Sequence, residues 1–364
     1  MSTLIERLDA AGLTGRGGAA FSTATKLRAA HTSDAHLLVN ACDGERGAAK
    51  DAWIVAHRLD ELREGVALVT GGTVKVTWAA HRGSETAARL RTAGLDVLDV
   101  PHRYVSSEES ALLSLLHGGL AKPMTKAVPF VHGGRDSEGR RIRPTVVLNA
   151  ETLWRVAQIE SRGVDWFRSF GTHAEPGPRL VAVSGSVDRP GILETAAGVP
   201  LREILDAAGG LRADATAVLV GGIGGVVLNA EAARRATWSR EGMAEFGGST
   251  GPGVVEVLDP ARCPLEIVGE LIAFGAGETA GQCGPCMFGL PAIAQDWAEL
   301  VARPTDTTLR RLRTRLGVVP GRGACRHPDG VSRLAASALH SLYDHLVDHS
   351  TGHCPARSHH AVAV

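Results

Sequence analysis

The sequence predicts an α/β protein in three parts: an alternating N-terminal half, a small β-rich module and a C-terminal helical bundle. Three observations carry this. Short apolar runs alternate with amphipathic stretches from residue 36 to residue 119. Two strand patterns joined by a turn, then a helix, follow closely from residue 178. Beyond residue 260 the apolar positions recur only at helical spacing. Strands alternating with helices imply a parallel sheet covered on both faces.

In the first part HLLVNA (36–41) reads as a strand and residues 51–69 as an amphipathic helix. Residues 74–80 read as a second strand, 84–94 as a helix, 95–101 as a third strand, and 107–119 as a helix ended by glycine. From 122 to 144 Gly, Pro and Arg break the pattern into a loop, and a helix is expected over 150–163. THAEPGP (172–178) reads as a linker. Over 178–210 the pattern is strand, turn, strand, helix, with the turn at Asp188-Arg-Pro-Gly191. Residues 216–230 add a glycine-rich strand pair, so a compact β-grasp-like module is expected. VGGIGGVV (220–227) lacks the GxGxxG spacing and reads as close-packed strand rather than a dinucleotide loop. Helices are expected over 263–275, 289–302, 306–317 and 331–347. The divisions are therefore 1–175, 176–255 and 256–348, with 349–364 as a flexible tail. Its four histidines and Cys354 read as a solvated end rather than as metal ligands.

Composition narrows the function. Hydrophobic residues at 44% and charged residues at 21% are those of a soluble globular protein. With 39 basic and 39 acidic residues the net charge is zero, which argues against nucleic acid or anionic membrane as a partner. The N-terminus carries Glu6 and Asp9 and lacks the apolar core of a signal peptide. No apolar run approaches the roughly 18 residues of a membrane span. The expected location is the cytoplasm, where six cysteines serve as ligands, catalysts or core rather than disulfides.

GETAGQCGPCMFG (277–289) sets Cys283 and Cys286 three apart, so both sulfurs can face one centre. Cys325, in a later interhelical loop, can return to meet them. A thioredoxin-like dithiol needs a preceding strand, and helices lie on both sides here. Spacing alone favours zinc on Cys283, Cys286, Cys325 and His327. An iron–sulfur cluster usually takes four thiolates, and three are well placed. Buried inert thiols suit Cys42 and Cys263 better. A second block, GLTGRGGAAFSTATK (12–26), lets backbone N–H groups approach a phosphate, and Arg16 and Lys26 add positive charge.

Residues 251–290 resemble the C-terminal part of the flavoprotein subunit of respiratory complex I. The same family includes the diaphorase subunits of NAD-linked hydrogenases and formate dehydrogenases. Its Glu-Ser-Cys-Gly-x-Cys-x-Pro-Cys stretch and a distant fourth cysteine hold a 4Fe–4S cluster. The resemblance makes Cys283, Cys286 and Cys325 cluster ligands and puts Ala280 where the first ligand stands. Zinc then falls to second place.

Four further blocks match in the family's order. The glycine block implies contacts to the FMN phosphate and NADH for Gly15, Arg16, Gly17, Gly18 and Lys26, with Ala20 and Ala24 replacing glycines. VNACDGERGAAKD (39–51) resembles the flavin segment through Asn40, with Cys42 where the family has aspartate and Asp43 one place on. In YVSSEESALLSLLHGG (104–119), Tyr104, Glu108 and Glu109 match an acidic motif near flavin and nicotinamide, which makes Glu108 the catalytic candidate. As plain sequence, those carboxylates are helix-start charges. Asn149 in TVVLNAETLWRV matches a flavin-site asparagine, and Leu148 replaces another. Phe130 takes the position of an aromatic that stacks on NADH; without the family it reads as core.

The resemblance runs from about residue 12 to 348, and each block carries a substitution, as in a divergent paralogue. It implies a Rossmann-like flavin domain, an SLBB-type β-grasp module and a helical iron–sulfur domain. The implied reaction passes electrons from NADH through FMN to a 4Fe–4S or 3Fe–4S cluster. The implied acceptor is a ferredoxin or another redox subunit, including one in a membrane redox complex. Two alternatives stand beside it: an iron–sulfur conduit without NADH chemistry, and a zinc-stabilised scaffold.

Overall fold

The computed structural model describes residues 2–125, 128–136, 138–352 and 354. The chain divides into two compact units, Met1–Val181 with Glu194–Gly198, and Ala182–Leu193 with Val199–Val364.

The first unit runs α1 (Ser2–Ala11), α2 (Thr23–Thr32), β1 (His36–Asn40), α3 (Lys50–His57), α4 (Leu59–Thr70), β2 (Val76–His81) and α5 (Glu85–Thr92). It continues with β3 (Val97–Val100), α6 (Glu109–Leu116), β4 (Gly134–Arg135), β5 (Arg141–Ile142), β6 (Thr145–Asn149), α7 (Ala150–Arg162) and α8 (Val164–Arg168). The main sheet has the order β3-β2-β1-β6, and every pairing is parallel. Its strands read as continuous apolar runs because helices cover both faces. From β1 the chain steps through β2 to β3, then returns to place β6 on the other side of β1. That reversal makes a switch point, where Asn40 and Asn149 are register partners at the two strand ends.

The expected helix over 51–69 is two helices. Arg58 leaves helical geometry (φ −140°), and the break lets α3 pack against α5 and α7 while α4 packs along α7. The α4–α7 crossing is close: a Cβ on Gly65 would lie 2.0 Å from the Leu153 carbonyl oxygen. Strand β6 escaped the sequence reading because five residues join loop to helix with no turn signal between them.

Strands β7 (Pro178–Gly185) and β8 (Gly191–Ala196) run across the division, and the second unit continues with β9 (Val199–Pro200), α9 (Leu201–Ala207), β10 (Ala217–Val220), β11 (Val226–Asn229), α10 (Ala230–Arg235) and β12 (Thr237–Trp238). Then come α11 (Arg240–Ala244), β13 (Val254–Val257), α12 (Pro264–Gly277), α13 (Leu290–Ala302), α14 (Asp306–Val318), α15 (His327–Ser341) and α16 (Tyr343–Ser350). The sheet order is β11-β10-β13-β7-β8. The first and last strands, β7 and β13, pair in parallel, and β10 runs antiparallel to β13. This is the expected β-grasp plan, completed by a strand, β13, that the sequence reading passed over. The glycine run between β10 and β11 is close-packed as expected: a Cβ on Gly225 would meet the Val220 carbonyl oxygen at 1.9 Å.

The expected helix over 331–347 begins four residues earlier, with Pro328 in its first turn, and breaks at Leu342 (φ −113°). Residues 349 and 350 complete α16 rather than beginning a tail, and Cys354 is buried to an intermediate degree. The rest of the expected tail, His353 and residues 355–364, lies outside the described residues. No disulfide joins any of the six cysteines, and among the described residues no helix is long and apolar enough to cross a membrane.

Candidate functional site

The glycine loop connects α1 to α2, and its geometry is set by backbone bonds. Gly15 N donates to Phe21 O (2.9 Å), Thr23 N to Leu13 O (2.9 Å), and Arg16 N to Thr152 Oγ1 (3.0 Å). Ser22 caps α2 by accepting from Thr25 N. The loop turns at Gly18 (φ +102°) and lies against the end of β6, where a Cβ on Gly17 would sit 2.5 Å from Asn149 Oδ1. Only glycine permits so close an approach to Asn149. The loop therefore borders the β1/β6 switch point, the place where open parallel sheets bind ligands.

Around it stand several of the expected residues. Asn40 Nδ2 donates to Ser107 O (3.1 Å), while its Oδ1 accepts from Cys42 N (3.2 Å). Tyr104 Oη donates to Glu45 Oε2 (2.6 Å). Lys26 Nζ lies 3.3 Å from Glu109 Oε1 and 3.3 Å from Val147 O, half-exposed at the edge of the sheet. Asn149 stands at the N-terminus of α7 without capping it. A cradle that a single Cβ would fill, bordered by a lysine and two amides, fits a flavin mononucleotide.

Four of the expected residues have partners within the protein. The Arg16 guanidinium points inward and donates to Pro176 O (3.0 Å) and Pro178 O (3.2 Å), so its charge does not face the loop's outer side. Burial, with Arg179 beside it, lowers its pKa to about 9. Asp43 caps α3, accepting from Asp51 N (3.0 Å) and Ala52 N (2.7 Å). Glu108 caps α6, accepting from Ser110 N (2.8 Å) and Ala111 N (3.2 Å), and burial raises its pKa. Phe130 is only 5% exposed, packed with Leu38, Cys42, Leu112 and Ile142, so its ring lies in the core. The exposed aromatic of the glycine block is Phe21, at 52%. Its position right after the small-residue run was the available signal.

The cluster motif lies in the second unit. After α12 the chain turns at Gly281 (φ +64°), and one π-helical turn, Pro285–Gly289, leads into α13. Such turns often mark functional sites. Cys286 is buried; burial, then Cys283 by charge and hydrogen bond, then Cys325, push its thiol pKa up to about 12. Cys283 and Cys325 both act on Cys286, so the three thiols are neighbours in the fold. Metal coordination is what turns such a group into thiolates, so the donor set fits a soft metal centre. Ala280 brings no donor. His327, the fourth ligand of the zinc reading, is buried with Nε2 2.7 Å from Gly275 O. A separate group is Cys263, expected in the core, His345 of the last expected helix, and His349 and Cys354 of the expected tail; its ligand atoms lie within 4.8 Å of one another.

A glycine loop at the sheet's switch point in one unit and a three-cysteine motif in the other define the class: a flavin- and iron–sulfur-type redox protein. Comparison with known proteins agrees. The Nuo51 FMN-binding domain matches residues 8–158, the SLBB domain 179–247, and the NADH-ubiquinone oxidoreductase-F iron-sulfur binding region 266–349. The F subunit of NADH-quinone oxidoreductase from Mycobacterium tuberculosis H37Rv is 30% identical over 94% of this chain and 84% of its own. Its counterpart in Escherichia coli K12 is 31% identical over 92% of this chain and 82% of its own. A chain of an NAD+-reducing NiFe hydrogenase, in its air-oxidized state, superposes with a TM-score of 0.82 at 30% identity. That match covers 95% of this chain but 62% of the hydrogenase chain, so this chain spans less than two thirds of it. The chain belongs to the family of NADH-quinone oxidoreductase F subunits.

Proposed function

We propose that this chain is a cytoplasmic electron-transfer flavoprotein, oxidising NADH through FMN and passing electrons by way of an iron–sulfur cluster to a redox partner subunit. The observation that carries the reading is the glycine loop seated at the β1/β6 switch point, with Gly17 against Asn149. FMN, when bound, supplies acceptance of a hydride and release of single electrons, chemistry that no side chain has.

The chain's own residues bind and orient. The N–H groups of Gly17 and Gly18 are the donors for a phosphate, and Lys26 brings the compensating charge, shared with Glu109. Asn40 and Asn149 offer amides at the strand ends. Glu108, held by the N-terminus of α6, places a carboxyl group beside Glu109 at the same rim. Phe21 provides an exposed ring for a planar ligand. Cys283, Cys286 and Cys325 would hold the cluster. Beside Cys286, Met287 and Phe288 are exposed, an apolar face suited to a protein electron acceptor.

The test is titration of the full-length chain with FMN, alongside anaerobic iron and sulfide analysis. Binding of one flavin together with iron and sulfide supports the reading. Iron and sulfide without flavin binding would make the chain a conduit, and a colourless protein with neither would overturn both.

A further inference from the structure

We propose that Cys263, His345, His349 and Cys354 form a structural zinc site, distinct from the three-cysteine motif, that clamps the C-terminal helix to the start of α12. Cys263 immediately precedes α12 and is buried. His345 and His349 are four apart on α16 and so share one face, with ring centroids 5.2 Å apart. The break at Leu342 turns that face toward Cys263, and Cys354 closes back after the helix ends.

The distances decide between a metal site and a set of hydrogen bonds. Zinc bonds of about 2.3 Å to sulfur and 2.0–2.1 Å to nitrogen, at the tetrahedral angle, set S and N about 3.6 Å apart. The structure has Cys263 Sγ 3.5 Å from His345 Nε2 and 3.4 Å from His349 Nε2, and Cys354 Sγ 3.7 Å from His345 Nε2. All four ligand atoms lie within 4.8 Å of one another. Thiol and imidazole protons can link these atoms only in pairs, whereas one cation would satisfy all three sulfur–nitrogen contacts at once. A two-iron cluster would place thiolates and imidazoles on different irons and separate them further.

The surroundings favour the same assignment. His349 Nδ1 lies 3.1 Å from Val301 O, so that ring nitrogen carries the proton and Nε2 presents its lone pair to the sulfurs. This is the outer-shell bond that orients metal-bound histidines. A groove of about 620 Å³ lined by Glu266, Glu270, His349 and Cys354 gives a cation an access path edged with carboxylates. Four protein ligands leave no open position, so the role is structural. The site ties the last helix to α12 as a disulfide would, without needing oxidation.

The full-length chain, without an affinity tag of histidines, is purified anaerobically after expression with both iron and zinc, and its metals are counted. About one zinc per chain is expected beside the iron. Cys263→Ser and His349→Ala should each lower zinc by at least about tenfold and leave iron unchanged, while Cys283→Ser does the reverse. Cobalt(II) titrated into the Cys283→Ser chain should give the intense visible bands of a tetrahedral sulfur–nitrogen site. Absence of zinc from the wild type together with no tetrahedral cobalt spectrum overturns the proposal. So does zinc that survives Cys263→Ser but leaves with Cys283→Ser.

Discussion

Lys50 Nζ lies 2.7 Å from Glu151 Oε2, with the two side chains 4% and 1% exposed. The pair joins the segment after β1 to the first turn of α7, directly behind the glycine loop. Glu151 Oε1 also accepts from Leu180 N (2.7 Å). Burial raises the Glu151 pKa, but Lys50, Arg155 and Arg16 outweigh it and hold the group below the usual carboxylate range. Removing one partner strands a buried charge. Lys50→Met should therefore cost about 3–5 kcal/mol in denaturant unfolding, and Lys50→Met with Glu151→Leu clearly less. A double variant as unstable as the single one would show that the pair is not the source.

Acid should destabilise the first unit. Burial, then Lys75 and His117, lower the His36 pKa to about 4. The unfolded chain binds this proton from about pH 6.5 downward. Between those values the unfolded state holds more protons, so stability is present above about pH 6.5 and is lost as pH falls toward the folded pKa. Thermal melting scanned from pH 7 to pH 4 should show the decline, and His36→Gln should make it shallower.

Ala20 sits at φ +49°, a left-handed conformation that a side chain resists. Ala20→Gly should stabilise the loop by up to about 1 kcal/mol. If crowding by the methyl limits the nucleotide site, it should also raise NADH oxidation with an artificial acceptor. An unchanged rate in flavin-loaded protein would remove crowding as the cause. Lys26→Ala, by contrast, should weaken FMN binding by about 1.5–3 kcal/mol, read from a flavin titration.

A cluster held by Cys283, Cys286 and Cys325, with Ala280 at the fourth position, would leave one iron on a weaker donor and more readily exchanged. Ala280→Cys should slow the loss of visible absorbance in air, and Cys283→Ser should strongly impair assembly. Full iron content in the Cys283→Ser protein would rule out the cluster at this motif.

Phe288 is 72% exposed, next to the cluster loop. Phe288→Ser should leave iron content and turnover with ferricyanide unchanged while slowing reduction of a protein acceptor. Equal slowing with both acceptors would mean that the ring supports the cluster rather than docking a partner.

The sequence by itself determined what depends on local pattern. The alternating α/β half, the β-grasp plan, the terminal helices, the glycine loop and the Cys283–Cys286 spacing are all written in neighbouring residues. Side-chain direction is not. Arg16 and Phe130 occupy matching positions, yet one guanidinium bonds Pro176 and Pro178 and the ring packs against Leu38, because distant segments determine which face of a residue is buried. Strands β6 and β13 are only five and four residues long and become strands by pairing with partners far along the chain. The convergence of Cys263 with His345, His349 and Cys354 is the strongest case. The two histidines are 82 and 86 residues from Cys263, and only the packing of α16 onto the start of α12 brings their Nε2 atoms to 3.5 and 3.4 Å from its sulfur.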